Sequence, residues 1–154
     1  MARLIMMLCL VATTVACTQN PVKDIQATLD MQLEADRYYA QDDCVKAVPL
    51  YKSLAAAMPA DTNSLLRIGN CFAKEKDYQQ AEQAYQHALI RDKSFIKAWH
   101  NLSYIRAQIL AETVMNMYKQ VDPDSPQAEK IRKLTQQVLS PFDIQLDELN
   151  AVQQ

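Results

Sequence analysis

The chain of 154 residues repeats itself. Residues 62–95 align under residues 28–61 without a gap, placing Ala35 over Gly69, Tyr38 over Phe72, Ala47 over Ala81, Tyr51 over Tyr85, Leu54 over Ala88 and Pro59 over Lys93. A unit of 34 residues cannot bury its own apolar face, so it must stack on its neighbours, and this confines the chain to a solenoid of supersecondary units. Short polar links divide each unit in two, Gln41-Asp42-Asp43 in the first and Lys76-Asp77 in the second. Links this short force neighbouring helices to run antiparallel, which predicts helices over about 28–40 with 43–56 and about 62–75 with 78–91. The small residues at Ala35/Gly69 and Ala47/Ala81 mark close approach of two axes. Tyr38/Phe72 and Tyr51/Tyr85 then fill the space beside those contacts, and their helical spacing assigns them to the core. Gly69 is the only glycine. With one glycine, neither G-x-G-x-x-G nor a phosphate-cradling loop can occur, and a fold rich in β-hairpins is disfavoured. The formal net charge of −2 carries no basic excess of the kind that nucleic-acid binding requires.

The order large–x2–large–small–x2–aromatic, then Ala–x3–aromatic–x2–Ala, then Pro, at this period, resembles the tetratricopeptide repeat (TPR) family. Residues 62–95 carry it at Leu65, Ile68, Gly69, Phe72, Ala81, Tyr85 and Ala88, with Lys93 at the usual proline. Residues 28–61 carry it at Met31, Ala35, Tyr38, Ala47, Tyr51, Leu54 and Pro59, with Glu34 at an apolar position. The resemblance implies an all-α solenoid of helix-turn-helix units. A third unit opens with Ile96, Trp99, Leu102 and Ser103, but Arg106 then replaces the aromatic and no turn follows. Apolar residues continue through Ile105, Ile109, Leu110, Val114, Met117 and Tyr118, predicting one helix over about 95–120. Asp122-Pro123-Asp124-Ser125-Pro126 breaks it. A last helix over about 126–139, with Ala128, Ile131, Leu134 and Val138 on one face, is expected to cap the stack. Pro49 stands inside a predicted helix and should kink it. The tail 140–154 holds Phe142, Ile144, Leu146 and Leu149, which could dock or bind a partner.

The first residues carry a different signal. Arg3 precedes the apolar run Leu4–Ala12, which is too short to span a bilayer but suits a secretory signal peptide. Thr14-Val15-Ala16-Cys17 resembles the bacterial lipobox. That resemblance implies removal of residues 1–16 and lipidation of Cys17, with residues 17–27 as lipidated N-terminus and tether. Thr18 rather than Asp after the cysteine implies an outer-membrane address with the body in the periplasm.

Little in the chain proposes catalysis. His87 and His100 are the only histidines, and neither lies in a metal or triad motif. No enzyme activity, no metal and no cofactor beyond the covalent lipid on Cys17 is expected. Cys9 falls in the signal peptide, leaving Cys44 and Cys71 in an oxidising compartment. They are either bridged or two separate buried thiols.

In TPR proteins the concave face is lined by the first helix of each unit. Carried onto this chain, that face holds Asp36, Tyr39, Arg67, Asn70, Lys97, His100, Asn101 and Tyr104. Such a groove would take an extended peptide or a helix of a protein partner, or it is simply a solvated face. Asn70, Lys97 and Asn101 resemble part of a clamp for a C-terminal carboxylate, but Leu66 stands where that clamp has Lys, so no clamp is expected. The functional expectation is a membrane-anchored interaction module assisting assembly of a pilus or secretion complex. The alternatives are an adaptor for envelope or peptidoglycan enzymes and a structural subunit that self-associates through its long helix.

Overall fold

The computed structural model describes residues 21–144. They form six helices: α1 (Pro21–Ala40), α2 (Cys44–Ala57), α3 (Thr62–Lys74), α4 (Tyr78–Arg91), α5 (Ile96–Tyr118) and α6 (Pro126–Leu139), followed by a 3-10 turn at Ser140–Phe142. The fold is all-α, a solenoid-like stack of helical hairpins in which α1–α2 and α3–α4 pack side by side and α5 lies on α4. Among the described residues no helix is long and apolar enough to cross a membrane.

The hairpins turn without glycine. Asp42 (φ 61°) and Lys76 (φ 60°), one period apart, occupy the left-handed conformation just past the ends of α1 and α3. In both turns the next residue donates back to the helix, Asp43 N–H to Tyr38 O at 2.9 Å and Asp77 N–H to Phe72 O at 2.9 Å, closing Schellman motifs. The same aspartates open the next helix: Asp43 accepts from Lys46 N–H, and Asp77 from Gln80 N–H. One acidic residue thus ends one helix and caps the other. Asp61 and Ser125 cap α3 and α6 in the same way.

The predicted repeat positions form the core. Ala35, Ala47, Leu54, Ala81 and Ala88 are fully buried, with Tyr51, Leu65, Ile68 and Tyr85 among them. A Cβ on Gly69 would stand 2.6 Å from Cδ1 and 2.8 Å from Cζ of the Tyr85 ring, so this position requires glycine for close approach. Tyr38 and Phe72 pack against this core but are only partly buried. Cys44, the first residue of α2, and Cys71, near the end of α3, are joined by a disulfide with their Cα atoms 5.5 Å apart.

Several elements differ from expectation. α1 begins at Pro21 rather than near residue 28. Proline is preorganised for the first turn, the Thr28 hydroxyl donates back to Asp24 O, and the Gln26 amide donates forward to Asp30 Oδ1. Residues 21–27 of the expected tether therefore extend the helix, with 24–27 exposed, while 17–20 lie outside the described residues. α2 continues through Pro49, so the proline removes a ladder bond without breaking the helix, and Ser53 Oγ donates to Pro49 O at 3.1 Å. α6 folds back along α5, but it buries Ala128, Thr135 and Leu139 and leaves Leu134 and Val138 exposed. The cause is a small contact made of Ala107, Ala111 and Leu139, against which Phe142 and Ile144 also pack. Leu146 and Leu149 lie outside the described residues. On α5, Ile96 and Trp99 are exposed instead of buried, because no second helix of a third unit lies against them among the described residues.

Replacing Lys76 by Gly should raise unfolding stability by about 1 kcal/mol, because it removes a Cβ from a left-handed site. Gln83→Gly, on the exposed side of α4, should lower it by about the same amount. Paired denaturation curves measure both, and a destabilising Lys76→Gly would contradict the turn geometry.

Candidate interaction face

The polar residues assigned to the groove are held together by one repeating unit. Tyr51 on α2 donates its hydroxyl to Asp36 Oδ1 on α1 at 2.7 Å, and accepts from Arg67 Nη1 on α3 at 3.0 Å. One period later, Tyr85 on α4 donates to Asn70 Oδ1 on α3 at 2.9 Å, and Asn101 Nδ2 on α5 reaches the same oxygen at 2.8 Å. In both units a tyrosine from the second helix reaches the seam between two first helices: Tyr51 bonds both of them, whereas Tyr85 bonds α3 and the Asn70 side chain passes the link to α5. Asn70 also donates to Tyr39 OH at 2.9 Å, so its side chain alone links α1, α3, α4 and α5.

Charge follows the same register. The Arg67–Asp36 ion pair (3.0 Å) occupies in the first unit the place that the neutral Asn101–Asn70 pair takes in the second. The Arg67 guanidinium lies 5.0 Å from the Tyr39 ring centroid and 5.6 Å from that of Tyr51, and the two rings meet edge to face at 6.1 Å. Both partners of the ion pair are about one-third exposed, so its contribution is small in water and the stacking adds packing. Burial pushes the Tyr85 hydroxyl up from its ordinary value of 10.0 to about 12, against a smaller opposite pull from Asn101. Burial, with the Asp36 carboxylate next, pushes Tyr51 upward too.

The eight predicted face residues therefore divide. Asp36, Tyr39, Arg67, Asn70 and Asn101 are bonded within the network just described, and His100 Nδ1 touches Asn101 Oδ1 at 3.2 Å. Lys97 and Tyr104 stand exposed on the same helix, with Tyr104 OH accepting from Gln108 Nε2 at 2.8 Å. Leu66, at the position where a carboxylate clamp has Lys, is buried. Sequence reasoning placed Tyr51 and Tyr85 in the core and missed their polar tips. The signal was present, because a buried tyrosine in place of phenylalanine needs a partner for its hydroxyl. Arg91 was missed without any such signal. Its guanidinium donates to Ala55 O at 2.8 Å and Asp61 O at 3.1 Å, and so ties the end of α4 to the α2–α3 link. Among the described residues no group of three or more His, Cys, Asp or Glu gathers as a metal site.

No protein-family model matches the chain, and no significant match is found among curated proteins.

Asn70→Ala should cost about 1–3 kcal/mol, because it strands the Tyr39 and Tyr85 hydroxyls and the Asn101 amide. Chemical denaturation tests this, and an unchanged midpoint would mean the network carries no stability. The two tyrosines also predict alkaline behaviour. Their folded pKa values lie above the ordinary 10.0, so their contribution is intact below pH 10 and falls as pH rises through the folded values. Stability measured at successive pH values from 9 upward should decline, and less steeply in a Tyr51→Phe/Tyr85→Phe variant.

Proposed function

We propose that the chain is a TPR-type interaction module, anchored by a lipid on Cys17 to the periplasmic side of the outer membrane, that binds a protein partner and assists assembly of a pilus or secretion complex. The observation that carries this reading is the alignment of α1, α3 and α5 into one face through Asn70, with Lys97, His100 and Tyr104 presented beside it. Fixing these helices against one another preorganises the face, so a bound peptide or helix loses less to ordering of the protein. The Cys44–Cys71 bridge supports an oxidising compartment, as does the signal-peptide layout. The anchor concentrates the face at the membrane, where a large assembly would meet it. Acyl burial at about 0.8 kcal/mol per CH2 makes a multiply acylated cysteine a stable anchor. The link from a solenoid face to a particular assembly is analogy by fold.

Asn70 is a structural bridge, so the test uses side chains exposed on α5. Lys97→Glu with Tyr104→Ala should keep the wild-type melting temperature and reduce recovery of pilus or secretion components from solubilised outer membranes at least about tenfold, as loss of a hot spot does. Recovery of peptidoglycan hydrolases in their place would favour the adaptor reading. Cys17→Ser should leave the membrane fraction, and an unchanged membrane fraction would refute the anchor.

A further inference from the structure

α1 is longer than the repeat requires. Its equivalent α3 opens at Thr62, whose counterpart one period earlier is Thr28, yet α1 opens at Pro21, about two turns sooner. Residues 24–27 of this overhang are exposed. From it an apolar stripe runs into the repeat: Ile25, Leu29 and Leu33 are 68 %, 48 % and 61 % exposed. Residues four apart share one side of a helix. Met31, Ala35 and Tyr38 occupy the side that packs on the core, so the stripe is turned outward. The polar groups beside it bond among themselves or to other helices. Gln26 donates to Asp30 at 2.8 Å, Arg37 pairs with Glu34 at 3.5 Å, and Asp36 is taken up by Tyr51 and Arg67. The free side of α1 is therefore amphipathic, with three large aliphatic side chains beside a band of mutually bonded polar ones.

We propose that this stripe lies in the surface of a phospholipid bilayer, with Ile25, Leu29 and Leu33 inserted between the headgroups and α1 parallel to the membrane. The proposal rests on the lipid anchor at Cys17 in the proposed function and gives the anchored body an orientation. Three residues separate Cys17 from Pro21, so even a fully extended chain holds the start of α1 within about 14 Å of the lipidated residue. An amphipathic helix tethered that closely meets the interface at high effective concentration, so a stripe too short to hold a membrane alone suffices. A second copy is the poorer fit. Each step of four residues carries the stripe about 40° around the helix, whereas a seam between helices needs the three-and-four alternation that keeps it aligned. Such a seam also extends over about three heptads or more, and three side chains fall well short of that. A fluid interface has no holes to match, so neither limit applies to it. Held this way, the protein has α1 against lipid and α5 at the other end of the stack, with Lys97 and Tyr104 presented away from the bilayer.

The test uses the full chain, purified from membranes in detergent and reconstituted into phosphatidylcholine vesicles with and without bromine atoms near the top of the acyl chains, which quench tryptophan on contact. Trp99, the only tryptophan, lies on α5 and serves as the internal reference. The emission added by Leu29→Trp should be blue-shifted and quenched at least about twofold, while that of Trp99 in the wild-type chain is unchanged. Ile25→Glu with Leu33→Glu, introduced into the Leu29→Trp chain, should abolish this quenching. Melting temperature and flotation with the vesicles should stay the same, because both side chains are exposed and the acyl chains still hold the protein. Absence of quenching in a chain that floats overturns the proposal and leaves the anchor standing. Absence of acyl chains on Cys17 by mass spectrometry overturns both. A blue shift without quenching would mean that protein covers the stripe, either a second copy or the chain's own end. Equal quenching after the two glutamate substitutions would mean that something other than the stripe reaches the lipid, and either result overturns the proposal.

Discussion

The stack depends on one contact made twice: a tyrosine from the second helix of a hairpin laid across a small residue of the first. At Tyr85 the ring lies so close over Gly69 that a Cβ would clash with it, and the approach sets how near α3 and α4 lie. Because the ring passes that point, its hydroxyl emerges on the far side, where it donates to Asn70, whose oxygen also accepts from Asn101. Tyr51 does the same toward Asp36 and Arg67. One side chain thus fills the hairpin interior, sets the spacing of its two helices and anchors the polar link between successive first helices, directly at Tyr51 and through Asn70 at Tyr85. Phenylalanine would serve the first two tasks and fail at the third.

This double duty explains what could be read from the sequence. The period of 34 residues carried the hairpins, their antiparallel sense and most of the buried positions, because small and large residues at helical spacing are local signals. The long α5 was legible from an apolar run without a turn. The start of α1 was not, since Pro21 opens a helix whose residues 24–27 are exposed and carry no apolar period of their own. The buried side of α6 was not legible either: its apolar pattern favoured Leu134 and Val138, whereas the partner surface offers two alanines that accept Ala128, Thr135 and Leu139.

The face residues were found by register, but their state was not. Asp36, Arg67, Asn70 and Asn101 read as free polar groups because their partners are distant in sequence, Tyr51 lying 15 residues beyond Asp36 and Tyr85 15 beyond Asn70. Charge appears at this relay only in the first unit, so that end of the face holds an ion pair while the α5 end holds a neutral amide pair beside the exposed Lys97 and Tyr104. Any partner therefore meets a surface graded along its length, with the freely presented side chains gathered on α5.

The disulfide adds a property of another kind. It joins the first residue of α2 to the last turn of α3, so the covalent path from α1 to α4 can run through sulfur and bypass residues 45–70. A pull on the two ends of the chain would travel along that shortcut. α1 and α2 could be peeled apart, and so could α5 and α6, but the closed loop between the cysteines would bear no tension. Its helices could neither be drawn out nor lengthen the molecule. Under load the protein would behave as two extensible arms joined by a segment of fixed length.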